Sequence, residues 1–323
     1  MSSIDIAKVN DHTWMLDIGL FGIKRVGALY LLKGERSCLI DSGTRKEARG
    51  LIRALEAQNA FPPDMIVLTH SHWDHTQGTP TLCREAQKIG KPIRVLASEK
   101  AIRNLKDQSW NKVFDEKQTF ENIDTVEPLQ DGQVIDLGGL ELQVIDISGH
   151  CEDDIGLYDE TSQTIFLGDA LGYTVEDSVM FPPFMPPFWN EEGFYAAVEK
   201  IRGIEYQNLC LAHYGCLKAN RSKTFPDEAV RTYETWWHIF EDADKKGKLD
   251  DLSHLKGSLL NETGIHYPEL EISKPSMRFM LSLINTAKKG FGKKPINVAE
   301  VQLEGIIGWL TKGYKGTQEK VNR

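Results

Sequence analysis

An uninterrupted apolar run, Met65-Ile66-Val67-Leu68, is followed at once by Thr69-His70-Ser71-His72-Trp73-Asp74-His75. Three imidazoles and a carboxylate thus fall within positions 70–75, although the whole chain has only nine histidines. Neutral imidazole and carboxylate are borderline-to-hard ligands suited to Zn, Fe(II) or Mn. A strand that ends in a loop can turn such alternating side chains inward together, so the segment reads as a metal site at a strand end. A solvated polar loop is the alternative.

The surroundings of that segment fix the fold class. Before it lie the short apolar runs Trp14–Leu16, Ala28–Leu32 and Cys38–Ile40, which read as a strand meander. The spacing turns helical from Arg45, with Leu51, Ile52 and Leu55 on one face, and Phe61-Pro62-Pro63 stops it. After the histidines come a helix around Thr81–Lys88, a strand Ile93–Ala97 and a helix opening at Ser98. From about Val126 the strands Gln133–Leu137, Leu140–Ile147, Ile155–Tyr158 and Thr164–Leu167 follow, with Gly138-Gly139 and Asp159-Glu160 as turns. A helix at Glu192–Arg202 and a strand near Leu209–Ala212 complete an α/β chain with the signature of an αβ–βα sandwich. Helices around Asp227–Ala243, Pro275–Lys288 and Asn297–Trp309 predict a C-terminal helical extension, with residues 1–222 as the core domain and 223–323 as a cap over the substrate pocket.

Composition removes several function classes. At 323 residues the chain is long enough for one large core with an added subdomain. Its net charge of −9 argues against nucleic acid or an anionic membrane as the main partner. No basic and then apolar leader opens the chain, and no run of ~18 apolar residues occurs. The expectation is a soluble cytoplasmic protein acting on a small molecule, with room for a homodimer. The five cysteines, Cys38, Cys83, Cys151, Cys210 and Cys216, form no C-x-x-C pair and predict neither a disulfide framework nor a zinc ribbon. They read as packed thiols, with Cys151, beside His150, the one placed for a chemical role.

Three later strands each end in a potential ligand. Val144–Gly149 leads to His150, Thr164–Gly168 leads to Asp169, and Leu209–Ala212 leads to His213. Alone, each residue is as well explained by a cap, a core histidine or a turn. Together with His-x-His-x-Asp-His they resemble the metallo-β-lactamase-fold hydrolase superfamily over roughly residues 10–215. The resemblance implies one divalent ion on His70, His72 and His150, a second on Asp74, His75 and His213, and Asp169 bridging them. Zinc is the expected metal, with iron or manganese as alternatives. Asp41, in Asp41-Ser42-Gly43, matches a recurrent aspartate that supports the ligands from behind; a plain turn residue is the other reading. The implied chemistry is attack by a metal-bridging hydroxide on a small acyl substrate (thioester, lactone or ester), with Asp74 and Asp169 in the catalytic centre. Phosphodiester or phosphotriester hydrolysis is the alternative, and a metal-containing signalling protein a further one.

Within the superfamily, His72 in place of Glu is unlike the flavo-diiron branch, and the ligand set resembles the glyoxalase II, lactonase and thioesterase branches. Leu167–Gly172, Val95–Glu99, Pro268-Glu269-Leu270 and Ser276–Met280 resemble the thioesterase-like response proteins of bacterial alkyl-quinolone signalling. Residues 291–323 match nothing in that pattern.

For the pocket, Trp73 and the segment Phe181-Pro182-Pro183-Phe184-Met185-Pro186-Pro187-Phe188-Trp189 offer aromatic surface with little flexibility. Phe181, Phe184, Phe188 and Trp189 are the candidate wall, and packing against the C-terminal helices or a second subunit is the alternative. Tyr173 is a candidate proton donor or oxyanion partner, or else a packed aromatic. Ser276 points at the pocket by resemblance, or caps its helix. Trp236, Trp237, His238, His254 and His266 read as packing or surface residues.

Overall fold

The structure is a computed structural model that describes residues 4–175, 179–265, 270–291 and 293–321. Two mixed sheets face each other. The first takes, in spatial order, β1 (Asp5–Lys8), β2 (Thr13–Asp17), β3 (Ala28–Lys33), β4 (Ser37–Ile40), β5 (Met65–Leu68), β6 (Arg94–Ser98) and β7 (Glu127–Leu129). It is antiparallel from β1 to β4 and parallel from β4 to β7. The change of direction follows from the connections: links of three to ten residues join the early strands, whereas α1 (Ala48–Ala57) and α3 (Thr79–Lys88), either side of the short α2 (Trp73–Thr76), make crossovers. A further short helix, α4 (Ile102–Lys106), follows β6.

The second half of the chain supplies β8 (Val134–Asp136), β9 (Glu141–Asp146), β10 (Ile155–Asp159) and β11 (Thr164–Phe166), then a separate two-stranded ribbon, β12 (Tyr173–Val175) and β13 (Val179–Phe181). After α5 (Glu191–Arg202), β14 (Asn208–Leu211) and β15 (Gly215–Lys218) join the second sheet, whose order is β15-β14-β11-β10-β9-β8. Only β11 and β14 pair in parallel there. The helices α6 (Ala219–Lys245), α7 (Leu252–Thr263), α8 (Pro275–Gly290) and α9 (Val298–Val321) form the C-terminal extension.

Three apolar layers hold these elements together. One lies between the sheets, where Tyr30, Val67 and Leu96 meet Leu142, Leu157, Phe166 and Cys210. A second packs α1 and α3 on the first sheet through Leu51, Leu55 and Leu82. The third packs the second sheet against α5, α6, α7 and α9 through Phe194, Tyr233, Trp236, Phe240 and Ile307. The order is therefore helix, sheet, sheet, helix, the αβ–βα sandwich, and the C-terminal helices share a core with the second sheet. β3 and β5 are buried on both faces, which is why they read as unbroken apolar runs and not as alternation.

The sequence reading missed α7, the β12–β13 ribbon and the start of α6. α6 opens at Ala219 and runs through Pro226, which is buried within it. A proline removes one helical hydrogen bond, but tertiary packing along a 27-residue helix outweighs that loss. His266 and Pro268-Glu269 lie outside the described residues. Among the described residues no helix is long and apolar enough to cross a membrane.

Candidate active site

Five strands deliver the site. β4 and β5 are parallel, so Asp41 and the Thr69–His70 segment leave the first sheet at the same edge. In the second sheet β9 and β11 both run antiparallel to β10, and β14 is parallel to β11, so His150, Asp169 and His213 also follow strands that end together. The glycines that precede two of these ligands are required. A Cβ at Gly149 would stand 2.8 Å from the Phe194 backbone, and Gly168 has a φ of +53° with Thr69 packed against it.

The side chains converge in two groups. Ligand atoms of His70, His72 and His150 lie within 4.8 Å of one another, as do those of Asp74, His75 and His213, and Asp169 joins His70 and His75 within the same limit. His72 Nδ1 is 3.0 Å from His70 Nε2 and 2.9 Å from His150 Nε2. Asp169 Oδ2 is 3.5 Å from His75 Nε2, 3.5 Å from His213 Nε2 and 3.9 Å from His150 Nε2, while Asp74 Oδ2 is 3.4 Å from His213 Nε2.

Hydrogen bonds outside the cluster fix which nitrogens face inward. His75 Nδ1 donates to Asp41 Oδ2 at 2.8 Å, His150 Nδ1 to the Pro183 carbonyl at 2.6 Å and His213 Nδ1 to the Val26 carbonyl at 2.6 Å. Each outer partner is an acceptor only, so the single proton of a neutral imidazole sits on Nδ1 and the Nε2 lone pair points into the cluster. The inner surface is then lone pairs and carboxylate oxygens. His75 Nε2 and Asp169 Oδ1 are buried with no hydrogen-bond partner, as is His72 Nε2. Such an acceptor-only cavity repels itself unless a cation fills it, and this donor set fits two divalent ions. The site is a dinuclear metal-binding arrangement of two His/Asp clusters.

The electrostatics separate the two clusters. Burial, reinforced by the neighbouring imidazoles, pushes the pKa of His70 and His72 well below the ordinary histidine range. Burial also lowers His150. At His75 burial opposes a charge, but the Asp169 and Asp41 carboxylates outweigh it and hold the imidazole well above its usual pKa. His213 is raised against burial by Asp169 and Asp74. Burial disfavours the charged form of Asp74, yet its bond with His213 and the nearby His75 bring it down to about 2. Asp169, likewise buried, is held well below the carboxylate range by His213 and His75.

Asp41 braces the cluster from behind. Besides His75 it accepts from the Thr69 N–H at 2.8 Å, and it holds a positive φ of 60°, a conformation that Asp tolerates better than most residues. Two unpredicted aspartates do similar work. Asp153 accepts from Ser71 Oγ at 2.6 Å and from Asn104 at 3.1 Å, tying the loop between the histidines to α4. Asp154 accepts from the Cys151 N–H at 2.5 Å and stands 3.7 Å from His70 Nδ1. Cys151 itself is buried beside these two carboxylates; burial and then their charge push its thiol well above the ordinary range, so it is a packed, protonated thiol.

The cluster opens into a cavity of about 320 Å³. Trp73 and Tyr173 line it, with Phe21, Phe114, Met185 and Trp309. Of the aromatic-proline segment only Met185 lines the cavity; Phe184 and Trp189 are buried against Phe194, Tyr233 and Phe240, Phe181 stacks on Tyr173, and Phe188 packs on Trp110. Ser276 is exposed, and its neighbour Met277 faces the cavity. The missing wall comes from α9, a helix with two apolar stripes: Leu303, Ile307, Leu310 and Tyr314 face the core, while Val298, Val301, Gly305 and Trp309 face the cavity. Two stripes blur a single-face pattern, which is why the sequence places this helix in a cap over the pocket without naming its wall residues.

Residues 24–213 match the metallo-β-lactamase superfamily. The chain belongs to that superfamily. It is 27% identical over 164 residues to an atrochrysone carboxyl ACP thioesterase of Paecilomyces divaricatus, a match covering 49% of this chain and 45% of the relative. It is 28% identical over 167 residues to an acyl-coenzyme A thioesterase of Homo sapiens, covering 44% of this chain and 57% of that one. The chain thus spans about half the length of these curated relatives. An archaeal metallo-β-lactamase superfamily protein from Sulfolobus tokodaii has the same fold, with a TM-score of 0.57 at 18% identity over 94% of this chain and 98% of its own.

Proposed function

We propose that this metallo-β-lactamase-fold protein is a dinuclear metal-dependent hydrolase of small apolar acyl thioesters, with lactones and simple esters as related substrates. The observation that carries the reading is an acceptor-only His/Asp cluster opening into an apolar cavity whose lining, among the described residues, contains no Lys or Arg. His70, His72 and His150 would hold one ion, Asp74, His75 and His213 the other, with Asp169 between them. Divalent ions there supply Lewis acidity and a water whose pKa falls toward neutrality.

The chain's own groups do the rest. Asp74 and Asp169 stay ionised, so either can accept a hydrogen bond from an attacking water and orient it. Tyr173 lines the cavity with its ring 5.7 Å from that of His213. Burial and the two carboxylates push its pKa well up, so it keeps its proton and is available to donate to a developing oxyanion or an alkoxide. A thiolate leaves without such donation, which makes a thioester the least demanding substrate. Phe21, Trp73, Phe114 and Trp309 divide the cavity from a groove of about 690 Å³ in which Arg45, Lys46, Lys117 and Lys274 outnumber Glu47 and Asp115. The acyl group fits the apolar side, and an anionic thiol carrier fits the basic side. Both named relatives are thioesterases of carrier-bound acyl groups, which supports this division.

A finer placement beside the alkyl-quinolone response thioesterases rests on Leu167–Gly172 and Ser276–Met280. The deciding measurement is turnover on matched acyl-coenzyme A, lactone and phosphodiester panels. Preference for the thioester is expected, and faster phosphodiester cleavage would overturn the reading.

A further inference from the structure

The hairpin that carries His213 also carries two of the five cysteines. β14 and β15 pair Cys210 directly with Cys216, three residues before and three after that histidine. The Cys210 carbonyl accepts from the Leu167 N–H at 3.0 Å, and the Ala212 N–H donates to the Gly168 carbonyl. In a strand the N–H and C=O of one residue point the same way, so the polar backbone of Cys210 faces β11 and not β15. Cys210 and Cys216 are therefore a non-hydrogen-bonded antiparallel pair, in which Cα atoms lie about 4.5 Å apart and side chains are closest. That separation lies at the short end of the roughly 4.4–6.8 Å that a disulfide spans and about 1 Å below its usual value, so closing the bond pushes the two strands apart. Both thiols are free; Cys210 is fully buried between the sheets, and Cys216 is partly exposed on the edge strand.

We propose that Cys210 and Cys216 are a reversible oxidation site, closed by hydroperoxides into a cross-strand disulfide that moves His213 out of position for its ion. The Cys216 sulfur attacks the peroxide, an S–O bond forms as the O–O bond breaks, and water or an alcohol leaves. The Cys210 sulfur then displaces the hydroxyl of the sulfenic acid, the S–S bond forms, and its proton leaves with that oxygen as water. Two thiols are oxidised and one hydroperoxide is reduced. The order of attack agrees with the environment: contact with Cys210 lowers the Cys216 thiol against the effect of burial, with Lys218 adding to it, whereas burial raises Cys210.

The link has a short path to the site. The Tyr30 hydroxyl is shared between the Leu211 carbonyl at 2.7 Å and the Gly215 carbonyl at 3.0 Å, bracing the hairpin just beyond the cysteines. Two residues separate each cysteine from His213, so a change in the β14–β15 spacing at the cysteines is carried to the imidazole and its bond to Val26.

The test treats the zinc-loaded chain with hydrogen peroxide, alkylates remaining thiols and digests with trypsin. Both cysteines fall on the peptide Gly203–Lys218, so the link shows as loss of two hydrogens without alkylation. The expected result is that link, with zinc retention against a chelator weakened by about tenfold and restored by dithiothreitol. Cys216→Ser and Cys210→Ala should show neither change, and Cys83→Ser should behave as the unaltered chain. Absence of the link, a link with zinc retention unchanged, or the same zinc loss in Cys216→Ser would overturn the proposal.

Discussion

The two halves of the metal site differ in one ligand, an imidazole in one and a carboxylate in the other, and behave differently. His70, His72 and His150 form an all-imidazole group whose pKa values burial pushes down, so these nitrogens stay neutral and ready to bind. In the group of Asp74, His75 and His213, carboxylates face both imidazoles and raise their pKa values, so protons compete more strongly for the inward lone pairs. Metal binding at the first cluster is thus less sensitive to protons than at the second.

Removing the shared carboxylate should abolish the distinction between the halves. Asp169→Ala deprives both clusters, and turnover should fall by ~1000-fold with metal content below two per folded chain. Circular dichroism should be unchanged, and retained activity would remove Asp169 from the centre. Next in size, Asp41→Asn keeps the positive φ but weakens the acceptor that sets the His75 tautomer. Metal affinity should drop ~10–100-fold, confined to the cluster containing His75, and titration with a chromophoric chelator separates the two ions.

Acidification should separate the halves further. Protons and cations compete for the same lone pairs, so metal affinity falls as pH drops through a site's histidine pKa values. The raised His75 and His213 are protonated first, whereas His70 and His72 remain neutral to lower pH. One ion should therefore leave before the other as pH is lowered, and elemental analysis after dialysis at stepped pH would show a plateau at one ion per chain. Simultaneous loss would contradict the assignment.

The smallest effects lie away from the ions. Lys46→Glu with Lys274→Glu should raise KM about tenfold for coenzyme A thioesters, since an exposed ion pair with the carrier is worth up to roughly 1 kcal/mol. An N-acetylcysteamine thioester, which lacks the anionic carrier, should be unaffected. Equal effects on both substrates would refute the division into acyl cavity and carrier groove.

The cluster was the most legible part of the chain, because His-x-His-x-Asp-His follows a strand at once and local geometry alone brings those side chains near one another. His150, Asp169 and His213 were legible as strand-end residues, although only the common direction of β9, β11 and β14 shows why they meet. The cavity wall was the least legible. Phe184 and Trp189 look like pocket aromatics in sequence, yet they fill the core under α6, while Phe21, Met277 and Trp309 come from three distant segments.

Apolar periodicity and the chemistry of imidazole and carboxylate are written residue by residue, and they were enough to set the layer order, the strand ends and the ligand types. Which aromatic faces are buried and which line the cavity, and which two cysteines stand opposite each other, emerge only in the packed molecule. Those choices depend on which surfaces meet across the sandwich, and side-chain burial is a property of that meeting and not of the residue.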